Sequence, residues 1–133
     1  ATGPQGTAGT NAATPSQSSA TRTLNSAFQV HATRPAMVFY SVQMTITANI
    51  TSGQNGDVIL EIASDSGFTA NVQTVSINGN GQTYSLAIAL GSVQPTTMTV
   101  SGFVPSGYYA RIRTANNTGT PTYSYRAGQE VLL

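Results

Sequence analysis

Apolar side chains recur at every second position over long stretches, and this period constrains the fold more than any other feature of the chain. Val42, Met44, Ile46, Ala48 and Ile50 alternate with Gln43, Thr45, Thr47 and Asn49. Successive side chains of a strand point to opposite faces, so such a segment buries one face and wets the other. Tyr84, Leu86, Ile88 and Leu90 repeat the period around small Ser85, Ala87 and Ala89. Met98 and Val100 alternate with Thr97, Thr99 and Ser101, and Tyr108, Ala110 and Ile112 alternate with Tyr109, Arg111 and Arg113. Val58, Leu60 and Ile62 predict a shorter strand, and Val75 with Ile77 another. No helical period lasts beyond two turns, and β-branched residues occur throughout. Turn signals fall between the runs at Ser52-Gly53-Gln54-Asn55-Gly56, Asn78-Gly79-Asn80-Gly81, Pro105-Ser106-Gly107 and Asn116-Asn117-Thr118-Gly119. Seven or eight short strands of this kind predict an all-β fold, an antiparallel β-sandwich or jelly roll. Strand order is not readable from one sequence.

Only 7% of residues are charged, against roughly 25% in a typical soluble domain. There is no lysine; the cations are Arg22, Arg34, Arg111, Arg113 and Arg126. A surface of Thr, Ser, Asn, Gln and Gly is solvated by neutral groups and responds weakly to salt, which suits work outside the cell. A formal charge of +1 spread over scattered arginines argues against nucleic acid, which demands a concentrated basic stripe. No apolar run approaches the roughly 20 residues of a membrane-spanning helix. The absence of cysteine excludes disulfides and thiolate metal sites, leaving oligomerisation as one route to stability.

The first 20 residues differ from the rest. Gly3-Pro4-Gln5, Gly6-Thr7-Ala8 and Gly9-Thr10-Asn11 are consecutive Gly-X-Y triplets, and the phase breaks at Ala12. A collagen triple helix requires glycine at every third position, because only hydrogen fits at the three-chain axis. The alternative is a flexible Gly/Thr leader. Ala12 to Ala20 carries no apolar side chain larger than Ala and reads as an extended linker. The expected division is a collagen-like stalk end over 1–11, a linker over 12–23 and a β-sandwich over 24–133. A chain that begins Ala1-Thr2-Gly3, without initiator Met or signal peptide, reads as part of something longer. On the collagen reading, Gly3, Gly6 and Gly9 bring three chains into register and the β domain is a homotrimer.

The triplets followed by Arg22-Thr23-Leu24-Asn25-Ser26-Ala27-Phe28-Gln29 resemble the C-terminal regions of collagen-containing tail-fibre proteins of tailed bacteriophages. More specific are Leu60-Glu61-Ile62-Ala63-Ser64-Asp65-Ser66-Gly67-Phe68-Thr69 and the ending Tyr125-Arg126-Ala127-Gly128-Gln129-Glu130-Val131-Leu132-Leu133. The resemblance spans most of residues 3–133. It implies a trimeric distal fibre module on a virion, where host attachment occurs, with a bacterial surface glycan or outer-membrane protein as receptor. It supplies no fixed set of binding residues.

The inventory for catalysis is thin. His31 is the only histidine, lacks a carboxylate nearby in sequence and is expected to pack or face solvent. Of the four carboxylates, Asp57, Glu61, Asp65 and Glu130, the pair Glu61 and Asp65 lies roughly 13 Å apart along a strand. Asp65 sits in a Ser-Asp-Ser-Gly turn, where its side chain is expected to cap backbone. Neither a glycosidase pair, nor a calcium loop, nor a zinc set is evident, so no enzyme activity, metal or cofactor is expected.

Two stretches suit binding. Tyr109, Arg111 and Arg113 share a strand face, an aromatic beside two fork-shaped donors fit for a sugar or an acidic saccharide. The alternative is that both arginines pair with Glu61, Glu130 or a neighbouring subunit. Tyr123, Tyr125 and Arg126 form a weaker set. Asn78 to Gly81 and Asn116 to Thr120, including Asn116 and Asn117, read as polar loop tips suited to recognition. Asn49-Ile50-Thr51 and Asn116-Asn117-Thr118 are formal glycosylation sequons, expected to stay unmodified in a phage product. Met37, Val38, Phe39 and Tyr40 are expected between subunits. Against a receptor-binding tip stand a purely structural trimerisation cap, a virion decoration or bacterial surface protein, and a glycan depolymerase.

Overall fold

In a computed structural model, which describes residues 14–47, 53–82 and 93–133, the described residues form eight strands and no helix. They are β1 (Ser16–Ser19), β2 (Phe28–Gln29), β3 (Ala36–Thr47), β4 (Gln54–Ala63), β5 (Gln73–Gln82), β6 (Val93–Val104), β7 (Tyr109–Thr118) and β8 (Thr122–Leu132). One sheet has the order β1-β8-β3-β6 and the other β2-β7-β4-β5, with every neighbouring pair antiparallel. Strands one and eight, two and seven, three and six, and four and five are all partners. This is one long hairpin wound into two packed sheets, the winding of a jelly roll.

The period-two pattern sorts as its chemistry requires. Val38, Tyr40, Val42, Met44 and Ile46 of β3 point between the sheets, where they meet Val58, Leu60 and Ile62 of β4, Met98 and Val100 of β6 and Ile112 of β7. Each such side chain contributes about 1.5–3 kcal/mol when fully buried. Val38 and Tyr40 therefore belong to the core of one chain and are unavailable to another subunit. Met37 is half-buried on the opposite face and Phe39 is exposed there, since odd and even positions of a strand cannot face the same way.

Several segments read as turns or linker are strands, Asn116 to Thr118 at the end of β7 among them. Asn78 to Gly81 continues β5, an edge strand paired with β4 as Asp57↔Gly79 and Asn55↔Gly81. Here the glycines serve space: a Cβ at Gly79 would lie 2.4 Å from Asp57 Oδ1, and one at Gly81 2.5 Å from Asn55 Cβ. Gln54, Asn55 and Gly56 likewise open β4. Ser16–Ser19, within the expected linker, pairs with Gln129 to Leu132 of β8. All four of its residues are exposed, so composition was a fair guide to burial. An edge strand requires only backbone N–H and C=O groups, which any sequence supplies. Gly3, Gly6 and Gly9, the Tyr84–Leu90 alternation and the Asn49 sequon lie outside the described residues.

Polar groups inside the sandwich fasten the entering chain. Glu130, 6% exposed, accepts hydrogen bonds from Arg22 Nε and Nη2, both at 2.8 Å, and from the Tyr40 hydroxyl. The Arg22 guanidinium also lies 4.4 Å from the centre of the Phe28 ring. Next to this set, the Tyr125 hydroxyl donates to the Ala20 carbonyl at 2.6 Å, and the Ala20 N–H donates to the Gly128 carbonyl at 3.0 Å. Burial, followed by the Glu130 carboxylate, holds the Tyr40 hydroxyl well above its ordinary value of 10.0. Below pH 10 this tyrosine is protonated in both folded and unfolded chains, so its contribution is complete. Above pH 10 only the unfolded chain ionises, and stability falls by about 1.4 kcal/mol per pH unit from this group. Unfolding free energies from urea titrations should decline as pH rises from 9 to 11, Tyr123 and Tyr125 adding to the loss, and Tyr40→Phe should make the decline shallower.

The two ends of the sandwich differ. At one end the chain enters and leaves: Arg34 Nη2 donates to the Thr14 carbonyl at 2.7 Å and Arg34 Nε to the Leu133 carbonyl at 3.2 Å. At the other end Gln54 Nε2 donates to the Thr47 carbonyl at 3.0 Å, and its Oε1 accepts the Thr120 N–H at 3.2 Å.

Candidate recognition face

The outward face of the β2-β7-β4-β5 sheet is built from cross-strand rows, which register alone determines. Starting from the end where the chain enters, Tyr109 of β7 pairs with Ala63 of β4, and Arg111 with Glu61. Then come Arg113–Ile59–Ile77, Ala115–Asp57–Gly79 and Thr118–Asn55–Gly81. The residues singled out on β7 therefore do not converge. Tyr109 and Asn117 are eight positions apart, roughly 26 Å along an extended strand.

Tyr109, Arg111 and Arg113 do share this face, and both guanidinium groups are drawn to one carboxylate within it. Glu61, 7% exposed, accepts from Arg111 Nη2 and from Arg113 Nε, each at 3.0 Å, on the same oxygen. This is the pairing expected of a nearly buried carboxylate, which is costly to desolvate unless met by opposite charge. Arg111 is further capped by Phe68, whose ring centre lies 4.2 Å from the guanidinium carbon. Phe68 reaches there from the β4–β5 loop in the left-handed region, at φ 53°. Asp65 fixes that loop: its Oδ1 accepts the N–H groups of Thr69 and Ala70 at 2.9 Å each, and its Oδ2 the Thr69 hydroxyl at 2.6 Å. The Thr69 hydroxyl first, then these N–H groups, holds the Asp65 carboxyl below its usual range. Asp65 thus caps backbone.

At the far end the face opens into a shallow groove of ≈ 360 Å³. It is lined by Asn55, Gly56 and Asp57 of β4, by Asn117 of β7, and by Gly79, Asn80 and Gly81 of β5. Asp57 stands between Gly79 and Ala115, so neither cross-strand neighbour covers it. Asn117 Nδ2 donates to Asp57 Oδ2 at 2.9 Å, and among the described residues no donor reaches Oδ1. Asn117 occupies this position because β7 carries an extra residue opposite the Asn55–Gly56 step. Asn116 is turned elsewhere; its Oδ1 lies 2.7 Å from the Tyr123 hydroxyl, which reaches across from the other sheet.

The remaining candidates have structural partners. His31 Nδ1 accepts the N–H groups of Thr33 and Arg34 at 3.2 and 3.1 Å, and its carbonyl accepts from Gly107 at 3.0 Å. Tyr123 and Tyr125 turn their hydroxyls inward, burial raising both above the usual phenol value, while Arg126 faces Gln43 on the outside. These three do not form a set. Among the described residues no three of His, Cys, Asp and Glu gather as metal ligands. Reasoning from sequence missed Asn55 and Asp57. Their signal is Asn-x-Asp on one strand facing Gly-x-Gly on the next, legible only once the register is known.

No protein-family model matches the chain. Over 113 residues, 84% of its length, it is 34% identical to a segment of uncharacterized protein 443R of Invertebrate iridescent virus 6. The chain spans about 5% of the length of that protein.

Proposed function

We propose that this domain is the recognition module at the tip of a virion fibre, trimeric, non-enzymatic, and bound through its open groove to a glycan on the host surface. One observation carries the reading: the groove of Asn55, Asp57 and Asn117 lies at the end of the sandwich opposite Thr14, where the chain enters. A tether on the N-terminal side would then present the groove outward. The Gly-X-Y triplets ahead of β1, the resemblance to tailed-phage tail fibres and the viral source of the relative support the setting. Tyr109, by contrast, lies on the tether side and takes no part in attachment.

The test is adsorption of the labelled domain to a panel of bacterial cells. Asp57→Asn and Asn117→Ala should each weaken adsorption about tenfold, equivalent to about 1.4 kcal/mol, while Tyr109→Ala leaves it unchanged. Undiminished adsorption by both groove variants, with wild-type melting temperatures, would sink the reading.

A purely structural trimerisation cap is the second reading, and a different surface favours it. On the outward face of the β1-β8-β3-β6 sheet, Phe39 is 42% and Phe103 47% exposed, beside half-buried Met37 and Val131. Apolar area of this kind is what a subunit contact removes from water. If it holds three copies together, Phe39→Ser with Phe103→Ser gives monomers in light scattering. A wild-type chain that is already monomeric at micromolar concentration refutes the trimer in both readings.

A further inference from the structure

The chemistry of the groove specifies a class of ligand, an inference that rests on the attachment reading above. We infer that the groove takes a neutral, hydroxyl-rich saccharide, with Asp57 and Asn117 gripping a pair of adjacent hydroxyls. The first argument is charge. Arg111 and Arg113 are drawn to Glu61, Arg22 to Glu130, and Arg34 to the Thr14 and Leu133 carbonyls, while Arg126 lies on the other sheet. None of these five lines the groove, whereas the Asp57 carboxylate does. A uronate, sialate or phosphate entering there would meet like charge first, and the nearest arginine, Arg113 one row away, already has its Nε on Glu61.

The second argument is hydrogen bonding. A carboxylate only accepts, and Asp57 has one oxygen held by Asn117 Nδ2 and the other met by no donor among the described residues. Asn117, oriented by that bond, keeps its own carbonyl oxygen as a further acceptor. Two neighbouring acceptors fit the two O–H donors of a sugar diol, and such charge-assisted bonds are the stronger kind.

Shape is the third. Gly79 and Ala115 flank Asp57 with almost no side chain, so a flat ring can approach the carboxylate closely. Ile77, two residues before Gly79 on the same face and 61% exposed, offers apolar surface to the C–H side of the ring. The volume of ≈ 360 Å³ falls at the small end of ligand sites, which run to roughly 1,000 Å³. A cation is the poorer occupant, since one carboxylate falls short of the oxygen set that calcium requires.

The experiment measures retention of the whole chain on immobilised neutral polymers (dextran, mannan, galactan) and acidic ones (alginate, polysialic acid), with and without EDTA. The expected result is retention on a neutral polymer, unchanged by EDTA and weakened at least tenfold by Asp57→Asn or Asn117→Ala at unaltered melting temperature. Retention confined to acidic polymers and abolished by Arg113→Gln overturns the neutral class while leaving attachment intact. Loss of retention in EDTA overturns it too, because Asp57 would then be holding a metal. Adsorption to cells without retention on any polymer replaces the saccharide with a protein receptor. Failure on both cells and polymers removes the attachment reading itself.

Discussion

Glu130→Ala lowers the stability of the domain by about 3 kcal/mol, the low end of what losing one partner of a buried ion pair costs. The carboxylate accepts three hydrogen bonds at once, two from Arg22 and one from Tyr40. Its removal strands a guanidinium that is only 23% exposed and a phenol that is fully buried. Most of the loss comes from those unpaired donors. The double variant Arg22→Leu with Glu130→Leu should therefore be more stable than Glu130→Ala, although it lacks both charges. Urea unfolding at pH 7 checks the pair: the midpoint should drop in the single variant at constant slope and recover in the double. Equal midpoints would show that Glu130 matters as a shape and not as an acceptor.

Gly128→Ala is expected to cost a similar amount, about 3 kcal/mol, at the upper end of the range for an overpacked core. The added methyl would lie 2.1 Å from the Tyr125 hydroxyl, 2.8 Å from Tyr40 Cδ1 and 2.9 Å from the Ala20 carbonyl oxygen. None of the three can retreat cheaply. Tyr40 is packed edge-on against Phe28 at 5.7 Å, and the Tyr125 hydroxyl and the Ala20 carbonyl are bonded to each other. Combining the change with Tyr125→Phe removes the closest contact and should restore part of the loss. A melting temperature equal to wild type in Gly128→Ala would mean that the segment around Ala20 yields freely.

The division between legible and illegible features follows from what each depends on. Burial along Met98–Val100 and Ala110–Ile112 was readable, because the period of a strand is local. The turn at Pro105–Gly107 was readable for the same reason, and Gly107 there has φ 78°. The glycines of β5 misled because Asn-Gly pairs mark turns only when nothing across the strand needs the space, and Asp57 lies 20 or more positions away in the chain. β1 was invisible because edge pairing leaves no mark on side chains. The pairing of Arg111 and Arg113 with Glu61 is one of the sequence's alternatives, and the sheet register brings these three side chains together. The groove combines all these difficulties, since its residues come from three strands and belong together only through register.

The position of β1 has a mechanical consequence. It runs from the entry end towards the groove end, paired with β8 through Ser16↔Leu132, Gln17↔Val131, Ser18↔Glu130 and Ser19↔Gln129. A pull at Thr14 resisted at the groove acts along this strand, so its pairs are sheared together and none can be peeled off ahead of the rest. Arg34 at the start of the strand and Arg22 just beyond its end act as rivets in the same line of force. Such a joint grips hardest in the direction in which a tethered particle would tug, and yields most easily to a sideways lift.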